Sequence, residues 1–216
     1  MRYQVILFDL DGTLTDPAEG ITHAVTYALQ NLGRPVPPYS ELLRFIGPPL
    51  LEAYRDFCGM EREEAQEALR LFRAYYTTRG IHENKLLPHA RELLSALRRA
   101  GVKTVLATSK PEEQALAVLT DFAILDCFDA VAGSTPDQSR SKKEDVIAYA
   151  LGKLGNPEPH TCLMVGDRSY DVIGASLCGM ETLGVLCGYG SEEELLSAGA
   201  LAVCRDLQEA EEFLLA

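Results

Sequence analysis

Val5-Ile6-Leu7-Phe8-Asp9-Leu10-Asp11-Gly12-Thr13-Leu14-Thr15-Asp16 joins an apolar, β-branched run to a pair of acids. The apolar run predicts a buried strand, and the two carboxylates emerge where that strand ends. Alternate side chains of an extended chain share a side, so Asp9 and Asp11 point one way while Leu10 points the other. Both acids can then address one ligand, which makes this strand end a candidate nucleophile site.

Outward from this run, short apolar segments alternate with helical ones. Further strands are expected at Lys103 to Ala107, Phe128 to Ala132, Cys162 to Val165 and Glu181 to Leu186. Helices between them carry end signals: Ala90 to Ala100 is closed by Gly101, and Tyr170 to Cys178 by Gly179. Ser141 with Glu144, and Ser191 with Glu194, each fit a capping box. This alternation predicts an α/β fold, a doubly wound parallel sheet. More than ninety residues separate the first strand from the second, with helical periodicity throughout. An inserted helical lobe accounts for them. Asp16-Pro17 suits the start of its first helix and Gly33 the end, Gly47-Pro48-Pro49 makes a rigid turn, and Glu61 to Tyr76 is amphipathic. The expected division is residues 1–16 and 84–216 for the core and 17–83 for the insertion, with hinges around Thr15 to Pro17 and Gly80 to Pro88.

Composition bounds the rest. A chain of 216 residues, 47% hydrophobic, supports one substantial core and a smaller lobe. A formal charge of -12 argues against a nucleic-acid partner, since phosphate-backbone binding needs clustered Lys and Arg. A small anionic substrate stays open, because a metal ion and a few cations reverse the field within one cleft. The six cysteines form no Cys-x-x-Cys pair, and reduced, buried thiols are expected. Neither a leader pattern nor an apolar run long enough for a bilayer is visible, so the expectation is a cytoplasmic protein without a membrane partner.

Ligands of open parallel sheets bind beyond the carboxyl ends of the strands. Those ends supply Asp9 and Asp11, then Thr108 and Ser109, then Lys142 and Lys143 ahead of a helix, then Gly166-Asp167-Arg168-Ser169-Tyr170-Asp171. In this order the four pieces resemble the motifs of the haloacid dehalogenase superfamily of phosphohydrolases, and the resemblance covers nearly the whole chain. The insertion is similar to that superfamily's helical cap. Ile46-Gly47-Pro48-Pro49-Leu50 and Gly184-Val185-Leu186-Cys187-Gly188-Tyr189-Gly190 resemble the phosphoglycolate phosphatase and 5′-nucleotidase-like subgroup.

The chemistry of such a site is expected as follows. A carboxylate, Asp9, attacks phosphorus to form an aspartyl-phosphate, and Asp11 serves as acid and then as base. Hard oxygen ligands suit Mg²⁺; by resemblance these are Asp9, Asp167 and the main-chain carbonyl of Asp11, with Asp171 supporting the metal site. Thr108 and Lys143 face the charge on the transferring group, Lys143 being preferred to Lys142 by the family's spacing, and main-chain donors near Leu10 and Ser109 add to them. Arg44 and Gly47 are the candidate cap residues that see substrate. The implied partner is a small phosphorylated metabolite, and the protein is a monomer or a homodimer.

Other residues receive plainer readings. His23, His82, His89 and His160 are scattered and carry no assigned role. Glu192-Glu193-Glu194 complements a helix dipole. Tyr75-Tyr76 packs within the insertion, and Arg168 reaches phosphate, solvent or an ion-pair partner. Pro88 precedes His89 where the family usually has glycine, and Tyr170 stands where asparagine is common. Competing functions are a phosphosugar mutase of the β-phosphoglucomutase type, a receiver-like signalling switch and a non-catalytic phosphate-binding protein. A true dehalogenase would not need Asp11, and residues 16 to 80 lack the lysine that phosphonate hydrolysis would require.

Overall fold

The computed structural model describes residues 2–137 and 139–216; Met1 and Gln138, both in stretches assigned above to the core, lie outside that description. The chain divides into two compact units, one formed by Met1–Thr15 with Leu86–Ala216, the other by Asp16–Lys85.

The first unit is an α/β layer structure. Its six-stranded sheet runs β5-β4-β1-β6-β7-β8, with every neighbouring pair parallel. The strands are β1 (Val5–Phe8), β4 (Lys103–Pro111), β5 (Ala130–Ser134), β6 (Cys162–Gly166), β7 (Glu181–Val185) and β8 (Ala202–Cys204). Between them run α5 (Ala90–Arg99), α6 (Glu112–Asp121), α7 (Lys143–Lys153), α8 (Ser169–Leu177) and α9 (Glu192–Ala198), and α10 (Leu207–Leu215) follows β8. Strands covered on both faces are apolar without alternation, and β1 is buried at all four positions. Val5 and Leu7 join Val105, Met164, Val146, Ile147 and Ala150 in one cluster under α7 and α8. Chain order reverses at β1, which has β4 on one side and β6 on the other, so a crevice is expected at their carboxyl ends.

Helix ends follow the glycine signals. Gly101 (φ +78) and Gly179 (φ +73) take left-handed conformations, and the next N–H groups return to Leu97 and Ala175 at 3.0 and 2.9 Å. His89 shows why glycine is usual at its position: it adopts φ +67 ahead of α5, with its Nε2 held 2.8 Å from Glu211 of α10.

Several expected boundaries move. The strand expected from Phe128 begins at Ala130, because a 3-10 turn over Leu125–Cys127 closes on the Phe128 N–H. β4 runs on to Pro111 through its polar end, with a register shift after Ala107. β8 was not anticipated: three residues at an edge are too few to show a period. Ser141 does not cap α7, which starts at Lys143 after Lys142. Ser191 does accept the Glu194 N–H at 3.1 Å, but the Glu194 carboxylate goes elsewhere. All six cysteines are free; Cys162 and Cys204 are buried, whereas the other four are half-buried rather than buried as expected.

The second unit holds α1 (Ala18–Asn31), α2 (Tyr39–Leu42), α3 (Leu50–Cys58) and α4 (Arg62–Tyr76). The Asp16 carboxylate accepts the Ala18 N–H at 3.0 Å and starts α1. Gly33 ends it, with Arg34 N–H returning to Leu29. Phe45 meets Tyr54 at 5.2 Å between ring centroids, and Phe72 stacks on Tyr76 at 5.2 Å, so Tyr76 belongs to this packing. Tyr75 packs there too, its ring 5.5 Å from that of Tyr27 and its hydroxyl 3.1 Å from the Glu83 carboxylate. The chain passes between the units on the two-residue strands β2 (Thr15–Asp16) and β3 (Lys85–Leu86), which pair with each other. Among the described residues no helix is long and apolar enough to cross a membrane.

Candidate active site

The site grows from the tips of β1 and β6. Asp9 continues the pairing, its N–H donating to Val165 at 3.0 Å. The chain then turns tightly, with the N–H groups of Thr13, Leu14 and Thr15 all pointing at the Leu10 carbonyl. Gly12 makes this turn at φ +89, and a methyl group there would collide with the Asp167 carboxylate. Asp167, fully buried at the end of β6, accepts from the Thr13 hydroxyl at 3.1 Å and from the Tyr189 N–H at 2.8 Å. Gly188 lets the Tyr189 loop approach this closely, since its missing side chain would also strike Asp167. Asp171, one turn into α8, accepts the Arg168 N–H at 3.2 Å.

Asp9, Asp167 and Asp171 each offer a carboxylate oxygen, and these atoms lie within 4.8 Å of one another. Lys143, at the start of α7, inserts its ammonium between two of them, 2.9 Å from Asp9 Oδ1 and 2.7 Å from Asp171 Oδ1. It also donates to the Ala107 carbonyl at 3.1 Å. Lys142 is exposed, so the buried partner is Lys143.

Electrostatics follow from burial. Burial, then Asp171 and Asp9, push the Asp167 carboxyl up to about 8, against the opposing bonds from Tyr189 and Thr13. Burial raises Asp171 to about 6, with Lys143 pulling it down and Asp9 pushing it up. Burial works against the Lys143 ammonium, but Asp171 and Asp9 outweigh it and raise its proton affinity. Asp11 is raised by burial and drawn back by Lys110.

Lys110 is the residue the sequence reading missed. Its Nζ lies 3.0 and 2.6 Å from the two oxygens of Asp11. The available signal was period two: Thr108 and Lys110 share a side of β4 as Asp9 and Asp11 share a side after β1. When all four carboxyls (Asp9, Asp11, Asp167, Asp171) are ionised, the two ammonium groups leave two negative charges, the complement of one divalent cation. Three closely spaced carboxylate oxygens in a buried cluster form the hard donor set that Mg²⁺ takes.

Thr108 is buried on the extension of β4 next to β1, and its Oγ1 accepts the Lys110 N–H at 3.2 Å; Ser109 is half-buried. Arg168 pairs with Glu194 at 3.0 Å. Glu194 also accepts the Ser169 N–H and hydroxyl at 2.8 and 2.9 Å, so it caps α8 besides opening α9. Arg44 and Gly47 belong to the second unit, where the Arg44 guanidinium lies 4.2 Å over the Phe57 ring and Gly47 turns at φ +105.

Comparison with known proteins identifies the family. Residues 6–185 match the family described as haloacid dehalogenase-like hydrolase. A 5′-nucleotidase of Pseudomonas aeruginosa is 42% identical over 207 residues, covering 96% of this chain and 93% of that protein. The tyrosine-protein kinase PtkA of Mycobacterium tuberculosis is 44% identical over 187 residues, covering 87% of this chain and 63% of its own length. A crystal structure of a predicted phosphatase from Clostridium acetobutylicum superposes with a TM-score of 0.96 at 41% identity, covering 100% of this chain and 99% of that one. The chain belongs to the haloacid dehalogenase-like hydrolases.

Proposed function

We propose that the protein is a Mg²⁺-dependent phosphatase that hydrolyses a small phosphomonoester, phosphoglycolate-like or a nucleoside monophosphate, through an aspartyl-phosphate on Asp9. The observation that carries this reading is the buried cluster of Asp9, Asp167 and Asp171 bridged by Lys143. Relatives named as a 5′-nucleotidase and, in Haemophilus influenzae, a phosphoglycolate phosphatase support the substrate class.

Asp9 attacks phosphorus, held in line by its bond to Lys143. Asp11 gives a proton to the departing oxygen and later takes one from the water that opens the acyl phosphate. Lys143 and Thr108 hold the charged phosphoryl oxygens, a role that fixed donors perform without reorganisation. Asp9, Asp167 and the main-chain carbonyl of Asp11 would hold Mg²⁺, with Asp171 in support. The ion, when bound, offsets the repulsion between an anionic nucleophile and a phosphate dianion. Residues Asp16–Lys85 act as a cap, with Arg44 and Gly47 as candidates for reading the leaving group.

The test is phosphate release from a panel of phosphoglycolate, nucleoside monophosphates and sugar phosphates, with Mg²⁺ and with EDTA, for the parent and Asp9→Asn. Turnover that requires both Mg²⁺ and Asp9 is expected. A panel without turnover, or an Asp9→Asn variant as active as the parent, refutes the assignment.

A further inference from the structure

We propose that Lys110 is the positioning residue for Asp11, fixing where the second acid of the strand-end pair sits and hence how well it protonates a leaving group. The inference rests on the reading of Asp11 as proton donor given above.

Asp11 lies within the turn closed on the Leu10 carbonyl, just before Gly12, so the backbone there has already left β1. Its carboxylate hydrogen bonds, among the described residues, both run to Lys110 Nζ, at 3.0 and 2.6 Å. The Lys110 side chain is 3% exposed and that of Asp11 15%. Taking an ammonium out of water is costly, and a buried ion pair returns little net stability over apolar packing. The consequence of the pair is therefore geometric: one donor spanning both oxygens removes rotation of the carboxyl. The Lys110 backbone is itself held, because its N–H donates to the Thr108 hydroxyl at 3.2 Å and β4 pairs with β5 again at Pro111. Asp9 takes a different lysine, Lys143, so the two acids are held independently.

In the first step Asp11 carries a proton on one oxygen and is held by Lys110 through the other; an oxygen of Asp9 bonds to phosphorus, the bond from phosphorus to the leaving oxygen breaks, and the Asp11 proton passes to that oxygen. Lys110 keeps its own proton throughout and touches neither reactant.

Single-turnover release of the alcohol isolates this step. Lys110→Met, Lys110→Gln, Asp11→Asn and the double variant Lys110→Met/Asp11→Asn are compared on an alkyl phosphate, whose alkoxide needs a proton, and on 4-nitrophenyl phosphate, whose phenolate does not. Asp11→Asn is expected to lose about 10²-fold or more on the alkyl ester and far less on the aryl ester. The Lys110 variants are expected to lose at least ~10-fold more on the alkyl ester than on the aryl one, with KM unchanged. Lys110→Met should add nothing in the Asp11→Asn background. Equal losses on the two esters, a raised KM with an unchanged rate, or a further loss in the double variant overturns the proposal. If Lys110→Met fails to fold, Lys110→Gln, which keeps a donor without the charge, carries the same comparison. An Asp11→Asn variant indifferent to the leaving group overturns the underlying reading and the proposal together; an Asp11→Asn variant that loses on the alkyl ester as expected, beside a Lys110→Met variant that loses equally on both esters or on neither, overturns the proposal alone.

Discussion

Replacing Asp167 by asparagine is expected to stabilise the metal-free protein at pH 8 while removing its response to Mg²⁺. Burial, Asp171 and Asp9 hold the Asp167 carboxyl near 8 in the folded chain, against an ordinary value of 3.8. The folded state thus binds the proton more tightly than the unfolded one, and stability falls as pH rises from about 4 to about 8. At about 1.4 kcal/mol per pH unit, ionised Asp167 costs the metal-free fold on the order of 5 kcal/mol at pH 8, a ceiling that relaxation lowers. Asparagine keeps the shape and removes the charge, but one of the bonds from Thr13 and Tyr189 is compromised, costing about 1–3 kcal/mol. The net gain at pH 8 is at most on the order of 2–4 kcal/mol, and a chain of this size shifts its melting midpoint by about 2–4 °C per kcal/mol. Calorimetry in EDTA should show Asp167→Asn melting above the parent at pH 8 but level with it or below it at pH 5, where the parent's folded carboxyl is protonated. Added Mg²⁺ should raise the parent's midpoint and leave the variant's in place. A variant that melts below the parent by the same margin at both pH values would refute the electrostatic argument.

Lys143→Met leaves Asp9 and Asp171 buried without their cation; losing one partner of such a pair costs about 3–5 kcal/mol. Phosphate release should vanish and the midpoint in EDTA should drop by on the order of 10 °C; an unchanged midpoint would show that the pair is not formed in solution. Gly174→Ala, in the middle of α8, would ordinarily gain about 1 kcal/mol of helix propensity. Here the new methyl would lie 2.6 Å from Lys143 Cγ and 3.1 Å from the Glu144 nitrogen, so a lower kcat and a lower midpoint are expected by steady-state assay and calorimetry, and a raised midpoint with intact kcat would count against it.

What the sequence disclosed was what local physics controls. β1 begins and ends where its apolar run does, because a strand buried on both faces tolerates no polar interruption. Gly33, Gly101 and Gly179 announce helix ends because a left-handed residue closes each helix on itself within a few positions. Features resting on distant partners were hidden. Nothing near Glu194 in sequence indicates that its carboxylate caps a helix starting at residue 169. β8 exists because Leu183, Gly184 and Val185 present an open edge to Ala202–Cys204, not because those three residues insist on being extended.

The site divides along the same line, and Asp11 shows how. Alternation puts Asp9 and Asp11 on one side, able to address one ligand, but does not say which cation each one meets. The chain turns at Leu10, whose carbonyl collects three N–H groups. Asp9 therefore stays with the sheet and meets Lys143 and the two acids near the tip of β6, while Asp11 is carried off to Lys110 at the end of β4. Two carboxylates two residues apart acquire separate cations from separate elements. The proposed roles call for that separation: a nucleophile that must stay ionised and an acid that must exchange a proton are not both served by one shared lysine.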